Sequence, residues 1–204
     1  MAEPDWNATE VRPTGTGGQS LRDLSNLGES ELVAACLAGE SRAFDLLVER
    51  HRRAVYQLCH RFVGNHEDAS DLSQEVFLRA YRGLQSFRGQ ASVGTWLHRI
   101  GVNVCLNRVS VKKPDSEPID ARQHVDTRTE SPSERVLRGE RADRVRRAVV
   151  MLPPRQRAAL ILRVYQEMTH QEIADVLGSS VGAVKANVFH ALQNLKRILG
   201  EDTR

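Results

Sequence analysis

Residues 68–84 read DASDLSQEVFLRAYRGL, and the helical pattern of this stretch guides the interpretation of the whole chain. At 100° per residue, one arc collects apolar side chains and predicts the buried face of an amphipathic helix: Ala69, Leu72, Val76, Phe77, Ala80 and Leu84. The opposite arc carries Asp71, Gln74, Glu75, Leu78 and Arg82. A leucine at the centre of a polar face is either an isolated exposed residue or the apolar anchor of a protein-docking surface.

Residues 86–111 read SFRGQASVGTWLHRIGVNVCLNRVSV and contain no Asp or Glu. Ser92 is the predicted N-cap of a helix whose inward stripe is Val93, Trp96, Leu97, Ile100 and Val104. Another face presents Thr95, Arg99 and Asn103 at four-residue steps. Such an acid-free face suits phosphates and single-stranded bases, or is simply a solvated basic surface.

Together, these two segments resemble the first conserved domain of bacterial extracytoplasmic-function (ECF, group 4) sigma factors of the sigma-70 family. DLSQEVF is similar to the helix that binds core RNA polymerase in that family, and SFRGQASVGTWLHRIGVN is similar to the segment that recognises and melts the −10 element. The resemblance runs from about Leu27 to about Leu199, with gaps between the two predicted domains.

The resemblance implies a role for each face. Polymerase binding is expected from the polar arc with its leucine: Asp71, Gln74, Glu75, Leu78 and Arg82. Contacts to the −10 element are expected from Phe87, Arg88, Trp96, Arg99 and Asn103. Trp96 also lies on the inward stripe, where a core aromatic is the favoured interpretation. The implied partners are core RNA polymerase, through its beta-prime clamp and beta flap, and promoter DNA in double- and single-stranded form. An anti-sigma factor is a further expected partner.

The chain as a whole is predicted to be all-α, with two small helical domains on a flexible linker. Residues 1–27 are rich in Pro and Gly and are expected to form a flexible tail. Residues 28–111 form the first domain, with predicted helices over 31–38 (capped by Ser30) and 41–63, both preceding the central pair. Residues 112–132 contain three prolines and almost no apolar residues, which indicates a linker.

Residues 133–204 form the second predicted domain, which contains a helix-turn-helix pattern. Thr169 and Glu172 have capping-box spacing, Gly178 suits a left-handed turn, and Ser179 or Ser180 can cap the next helix. The inward stripe of that helix is Val181, Val184, Val188, Leu192 and Leu195. Two helices joined by a tight glycine turn are typical of DNA-binding proteins that place the second helix in the major groove.

Contacts to a −35 element are expected from Ser180, Lys185, Ala186, Phe189 and His190. The commonest pattern in the family has Ser and Arg where this chain has Ala186, Asn187 and His190. Because fewer arginines are available to contact the DNA, the particular −35 sequence that this chain would recognise is not determined.

Composition sets limits on other functions. The net charge is +3 and the pI about 9.0, so binding to nucleic acid must depend on local patches. Cys36, Cys59 and Cys105 are too few and too scattered for a disulfide framework and are expected to be buried thiols. No signal peptide or membrane span is apparent, which favours the cytoplasm. No catalytic motif or cofactor-binding pattern was found, so neither an enzyme nor a bound cofactor is expected.

The sequence leaves three alternative functions open. The first is a helix-turn-helix repressor or activator in which residues 67–111 bind a ligand or a second copy. The second is a small metal hydrolase using His51, His60 and His66, although their spacing matches no common zinc pattern. The third is an adaptor that docks on polymerase without reading promoters.

Overall fold

The computed structural model describes residues 24–111 and 132–201, and within these ranges it is entirely helical. The predicted all-α class is confirmed. The predicted linker and tail lie outside the described residues, except for Pro132 and residues 24–27. Leu24–Asn26 form a short 3-10 turn, which Arg50 holds by donating from Nη2 to the Ser25 carbonyl at 2.8 Å.

The first helical unit consists of α1 (Glu29–Leu37), α2 (Ser41–Val63), α3 (His66–Gly83) and α4 (Val93–Val111), with a 3-10 turn at Leu84–Ser86. Helices α2, α3 and α4 pack against one another, and α1 covers α2. The fully buried side chains at their centre include Leu58, Phe62, Val76 and Val102. Two of the three free cysteines, Cys59 and Cys105, are also buried there, as predicted, and Cys36 is half-buried.

Helix α1 begins two residues earlier than predicted, and its cap is Gly28 rather than Ser30. The Glu31 carboxylate accepts a hydrogen bond from the Gly28 amide at 2.7 Å. This single bond satisfies the backbone N–H of the cap residue, so the helix begins at Glu29, before Ser30. Leu37, at the end of the helix, is exposed.

Local sequence signals set the boundaries of the central helices. Gly64 ends α2 in the left-handed conformation at φ 81°, and Asn65 then caps α3 by accepting from the Asp68 amide at 2.8 Å. Ser92 caps α4, as predicted, by accepting from the Thr95 amide at 3.1 Å. These caps fix the direction in which α3 and α4 present their outer faces.

The second helical unit consists of α5 (Pro132–Val150), α6 (Pro154–Tyr165), α7 (His170–Leu177) and α8 (Val181–Glu201). The predicted capping box of Thr169 and Glu172 is present at the start of α7. Gly178 ends α7 at φ 58°, and Ser180 caps α8 by accepting from the Ala183 amide at 3.2 Å. The predicted helix-turn-helix is therefore confirmed.

One predicted core position in this unit is wrong. Leu192 is exposed, and the neighbouring Ala191 is fully buried in its place. Because α8 packs on α6 and α7 along its length, its buried stripe drifts by one residue from the strict pattern. Val145 on α5 is also exposed.

The two helical units pack against each other. Helix α4 contacts α6 and α7, and α2 contacts α5 and α6, so the buried residues of both units form one continuous cluster. None of the helices in the described ranges is long and apolar enough to cross a membrane.

Candidate functional site

The outer face of α3 is a polar surface with an apolar centre. Leu78 is 52% exposed, and Asp71, Gln74 and Arg82 are exposed on the same helix. Glu75 is half-buried and pairs with Arg79, whose Nε lies 2.7 Å from its Oε1. The structure therefore brings the five predicted residues onto one face of α3, where they are available to a partner.

Tyr81 belongs to the same face, although it is not among the five residues predicted from the sequence. Its ring is exposed and lies edge-on to Phe44 of α2, with ring centroids 5.0 Å apart. Its position three residues after Leu78 was the available signal, because residues at that spacing share one side of a helix. Leu78 and Tyr81 together make the apolar centre of the face larger than one side chain.

An open groove between α2 and α3 adjoins this face. Its apolar floor and polar rim are formed by Val48, Arg52, Arg53, Tyr56, Ser73, Gln74 and Phe77. Gln74 is common to the groove and the α3 face. Two arginines on the groove wall make this side of the surface cationic, in contrast to the carboxylates of Asp71 and Glu75.

The loop before α4 and the start of α4 bring Phe87 and Trp96 together. Their ring centroids are 5.0 Å apart at an angle of 49°, and both rings are half-buried against the core. The favoured interpretation of Trp96 as a packing residue agrees with this position. The pair fixes the loop that carries Arg88, whose side chain is exposed.

Arg99 and Asn103 are exposed one turn apart on α4, as the four-residue spacing predicted. Arg108, further along the same helix, pairs with Asp68 of α3 at 2.6 Å. The hydrogen bond to that carboxylate raises the pKa of Arg108. Arg88, Arg99 and Arg108 are all exposed, and Arg108 in addition braces α4 against α3 through its pair with Asp68.

On α8, all five predicted DNA-contacting residues are exposed, and one of them also caps the helix. Lys185, Ala186, Phe189 and His190 are exposed, and the Phe189 ring lies edge-on to His190 with centroids 5.6 Å apart. Ser180 uses its hydroxyl to cap the helix, which fixes the N-terminal end of α8.

The histidines considered for a metal site are occupied by other contacts. His51 lies 2.9 Å from a Glu29 oxygen, and His66 is hydrogen-bonded to the Tyr56 hydroxyl at 2.7 Å. His60 stacks on the Tyr56 ring. Within residues 24–111 and 132–201, no three His, Cys, Asp or Glu side chains are grouped as metal ligands.

These observations define an all-α helix-turn-helix protein with two further exposed faces on its first unit. Comparison with protein families gives two matches: the model for "Sigma-70 region 2" matches residues 47–113, and that for "Sigma-70, region 4" matches residues 142–195. The two matches correspond to the first and second helical units.

Curated relatives support the same assignment. The chain is 34% identical over 185 residues to the RNA polymerase sigma-H factor of Pseudomonas aeruginosa, covering 86% of this chain and 96% of that protein. It is 37% identical over 187 residues to the ECF RNA polymerase sigma factor SigM of Mycobacterium tuberculosis, covering 91% of this chain and 89% of that one. The ECF RNA polymerase sigma-E factor of Escherichia coli is 33% identical over 174 residues, covering 81% of this chain and 91% of that protein.

Two solved structures share the fold. CnrH, solved in complex with the cytosolic domain of CnrY, has a TM-score of 0.63 at 26% identity and covers 85% of this chain and 98% of its own. The sigma factor RpoE of Bartonella quintana, solved with the anti-sigma factor NepR, has a TM-score of 0.60 at 21% identity, covering 77% and 96% respectively.

The chain therefore belongs to the sigma-70 family and is an ECF sigma factor. It is an alternative sigma factor, which binds core RNA polymerase and promoter DNA and acts in promoter recognition and transcription initiation.

Proposed function

We propose that this ECF sigma factor belongs to the group 4 subclass and that it binds polymerase and the two promoter elements through three separate exposed faces. The α3 face binds polymerase at the beta-prime clamp, the α4 face with its preceding loop binds the −10 element, and the exposed side of α8 binds the −35 element. The second unit is assigned to the beta flap. The chain acts in the cytoplasm and carries out no catalysis or cofactor chemistry of its own.

The α3 assignment is supported most directly by the exposure of Leu78. An apolar side chain at the centre of a ring of polar ones is the usual anatomy of an energetically dominant contact, because the ring excludes water from the anchor. Tyr81 enlarges that centre, and the groove beside Gln74 offers space for an element of the partner.

The α4 assignment depends on charge and on the aromatic pair. Arg88 and Arg99 can meet phosphates, and Asn103 can bond a base edge. Phe87 and Trp96 hold the loop in place through their contact and offer ring edges next to it. Capture of an unstacked base beside this loop would offset part of the cost of strand opening.

The α8 assignment follows from the geometry of a helix-turn-helix. The N-terminal part of the second helix enters the major groove. Lys185 can bond a phosphate or guanine, His190 can donate to an acceptor, and Phe189 offers an apolar surface to a thymine methyl group. Ser180, as the cap, positions the end of α8 that meets the DNA.

We also propose an anti-sigma factor as a partner. RpoE of Bartonella quintana was solved with the anti-sigma factor NepR, and CnrH was solved with the cytosolic domain of CnrY. The exposed face of α3 and the exposed side of α8 are the surfaces that a competitor of polymerase and DNA would cover.

The polymerase-binding assignment is tested with the double variant Asp71→Ala/Leu78→Ala. We expect its affinity for core polymerase to fall by roughly tenfold or more, as is usual when a dominant anchor is removed. The matched control is Leu37→Ala/Asp45→Ala, because Leu37 is 51% exposed and Asp45 is an exposed aspartate in the same unit. Equal core affinity in the two variants, both folded by circular dichroism, would refute the assigned face.

A further inference from the structure

The groove between α2 and α3 combines an apolar floor with a cationic wall. Its floor is formed by Val48, Tyr56 and Phe77, each of which is half-buried. The groove has a volume of about 620 Å³, which lies within the range of roughly 300–1,000 Å³ found for sites that hold a ligand. The floor can therefore accept a side chain as large as an aromatic ring together with its neighbours.

Two adjacent arginines, Arg52 and Arg53, form the wall of this groove. Both side chains are exposed, and within the described residues neither forms an ion pair with a carboxylate. A guanidinium has a planar set of N–H donors that matches the two oxygens of a carboxylate. The groove therefore fits a segment in which carboxylates flank an aromatic side chain.

The first ten residues of the chain, MAEPDWNATE, have this chemistry. Trp6 lies between the carboxylates of Glu3, Asp5 and Glu10, and the stretch contains no Lys or Arg. Among the residues outside the described ranges, Trp6 is the only Phe, Trp or Tyr, and residues 112–131 have carboxylates but no such ring. A docked tryptophan can bury roughly 150–250 Å². The N-terminal segment thus fits the groove better than the segment between the two helical units.

The N-terminal segment joins the described chain beside the helix that carries both arginines. Arg50 of α2 donates to the Ser25 carbonyl at 2.8 Å, so the chain before Leu24 starts next to α2. From Trp6 to Leu24 the chain can span up to roughly 60 Å, which is more than the distance around one helix. A tether of this length gives the segment an effective concentration on the order of a millimolar at the groove.

We propose that residues 3–10 dock in this groove, with the Trp6 ring on the apolar floor and the flanking carboxylates beside Arg52 and Arg53. The docked segment covers Gln74, which the groove shares with the α3 face, and therefore competes with polymerase for part of that face. This competition depends on the proposed assignment of the α3 face to polymerase binding. Polymerase then binds only the molecules whose groove is open, which lowers its apparent affinity in proportion to the open fraction.

Docking is tested by NMR of the indole groups in the isotope-labelled, full-length protein. The chain contains only Trp6 and Trp96, so the variant Trp6→Phe identifies the Trp6 signal. We expect this signal to lie away from its position in a synthetic peptide of residues 1–12, and the Trp6 ring to show NOE contacts to the Val48 methyl groups. In Arg52→Glu/Arg53→Glu the signal should move to the peptide position, because the reversed charges repel the carboxylates.

The matched control is Arg42→Glu/Arg141→Glu, which makes the same change in charge at two exposed arginines outside the groove and should leave the Trp6 signal in place. Docking would be overturned by a wild-type Trp6 signal at the peptide position, or by equal movement in the groove variant and the control. A signal whose position depends on protein concentration would mean that the segment of a second copy fills the groove, which would also overturn docking within one chain.

The competition is tested by titrating core polymerase with the full-length protein. We expect Trp6→Ala to bind roughly fourfold or more tightly than the wild type, because its groove is open in more molecules. Val11→Ala, an apolar substitution just outside the docking segment, should bind as the wild type does.

Equal affinities for Trp6→Ala and the wild type, although Trp6 is docked by NMR, would overturn the competition. In that case weakened binding by Asp71→Ala/Leu78→Ala would leave the α3 assignment standing, whereas unweakened binding by that variant would overturn the assignment as well.

Discussion

At the scale of single residues, Phe189 is the most unusual side chain on the proposed DNA-binding helix. It is 58% exposed on α8, where a solvated helix would carry a polar residue. Leu192 is similarly exposed at 53%, one turn further from the N-terminal end of the helix. Because both side chains are apolar and exposed on α8, substituting each in turn distinguishes an apolar contact to a base from an apolar contact elsewhere.

We expect Phe189 to contact a thymine methyl group in the −35 element. Replacing that thymine by deoxyuridine removes only the methyl, which should weaken binding of the wild-type holoenzyme about fourfold, equivalent to about 0.8 kcal/mol. Phe189→Ala should bind the thymine and deoxyuridine duplexes equally. The measurement is a competition titration with each thymine of the element substituted in turn.

Leu192→Ala is the control for this prediction and should keep the difference between thymine and deoxyuridine. If Phe189→Ala were as sensitive to deoxyuridine as the wild type, or if no thymine responded in either protein, the assignment of Phe189 would be wrong.

At the scale of elements, the helices and their ends were predictable because their signals are local. The pattern of α3, the Ser92 cap of α4 and the capping box of α7 involve residues within four positions of each other. The start of α1 was missed because two residues offered competing caps, and the Glu31 carboxylate favoured Gly28. The outward turn of Leu192 was missed because the packing of α8 on α6 and α7 shifts its buried stripe.

The packing of α4 makes the stability of the protein depend on pH. His98 is largely buried on α4 with its Nδ1 unbonded, and burial, with a smaller effect of His51, lowers its pKa to about 4. In the unfolded chain a histidine titrates near 6.5, so below that pH the unfolded state binds a proton that the folded state excludes. Stability is full above about pH 6.5 and is lost as the pH falls towards 4.

We expect the free energy of unfolding to fall by about 3 kcal/mol more in the wild type than in His98→Gln between pH 6.5 and pH 4. Urea titrations at several pH values measure this difference. His190→Gln, at an exposed histidine on α8, should retain the pH dependence of the wild type. Parallel curves for the wild type and His98→Gln would show that His98 does not carry the effect.

At the scale of the whole molecule, the relation between the units could not be predicted. Each exposed face was predictable, because an amphipathic pattern shows which side of a helix is buried in the core and which side faces solvent. The contact between the units was not, because Arg157 donates to the Phe62 carbonyl 95 residues away and a backbone acceptor leaves no mark in the sequence. The Arg61 guanidinium also lies on the ring of Tyr165 in the other unit, a contact that no local sequence pattern indicates.

The most direct test of the central claim is run-off transcription with purified core polymerase on a fragmented genomic library, with and without this protein. We predict new initiation sites that depend on the protein and share two sequence blocks, and that lose activity when either block is scrambled. Two results would contradict the assignment of promoter recognition to these two helical units. One is that the folded protein produces no new initiation sites, and the other is that initiation is unchanged when both blocks are scrambled.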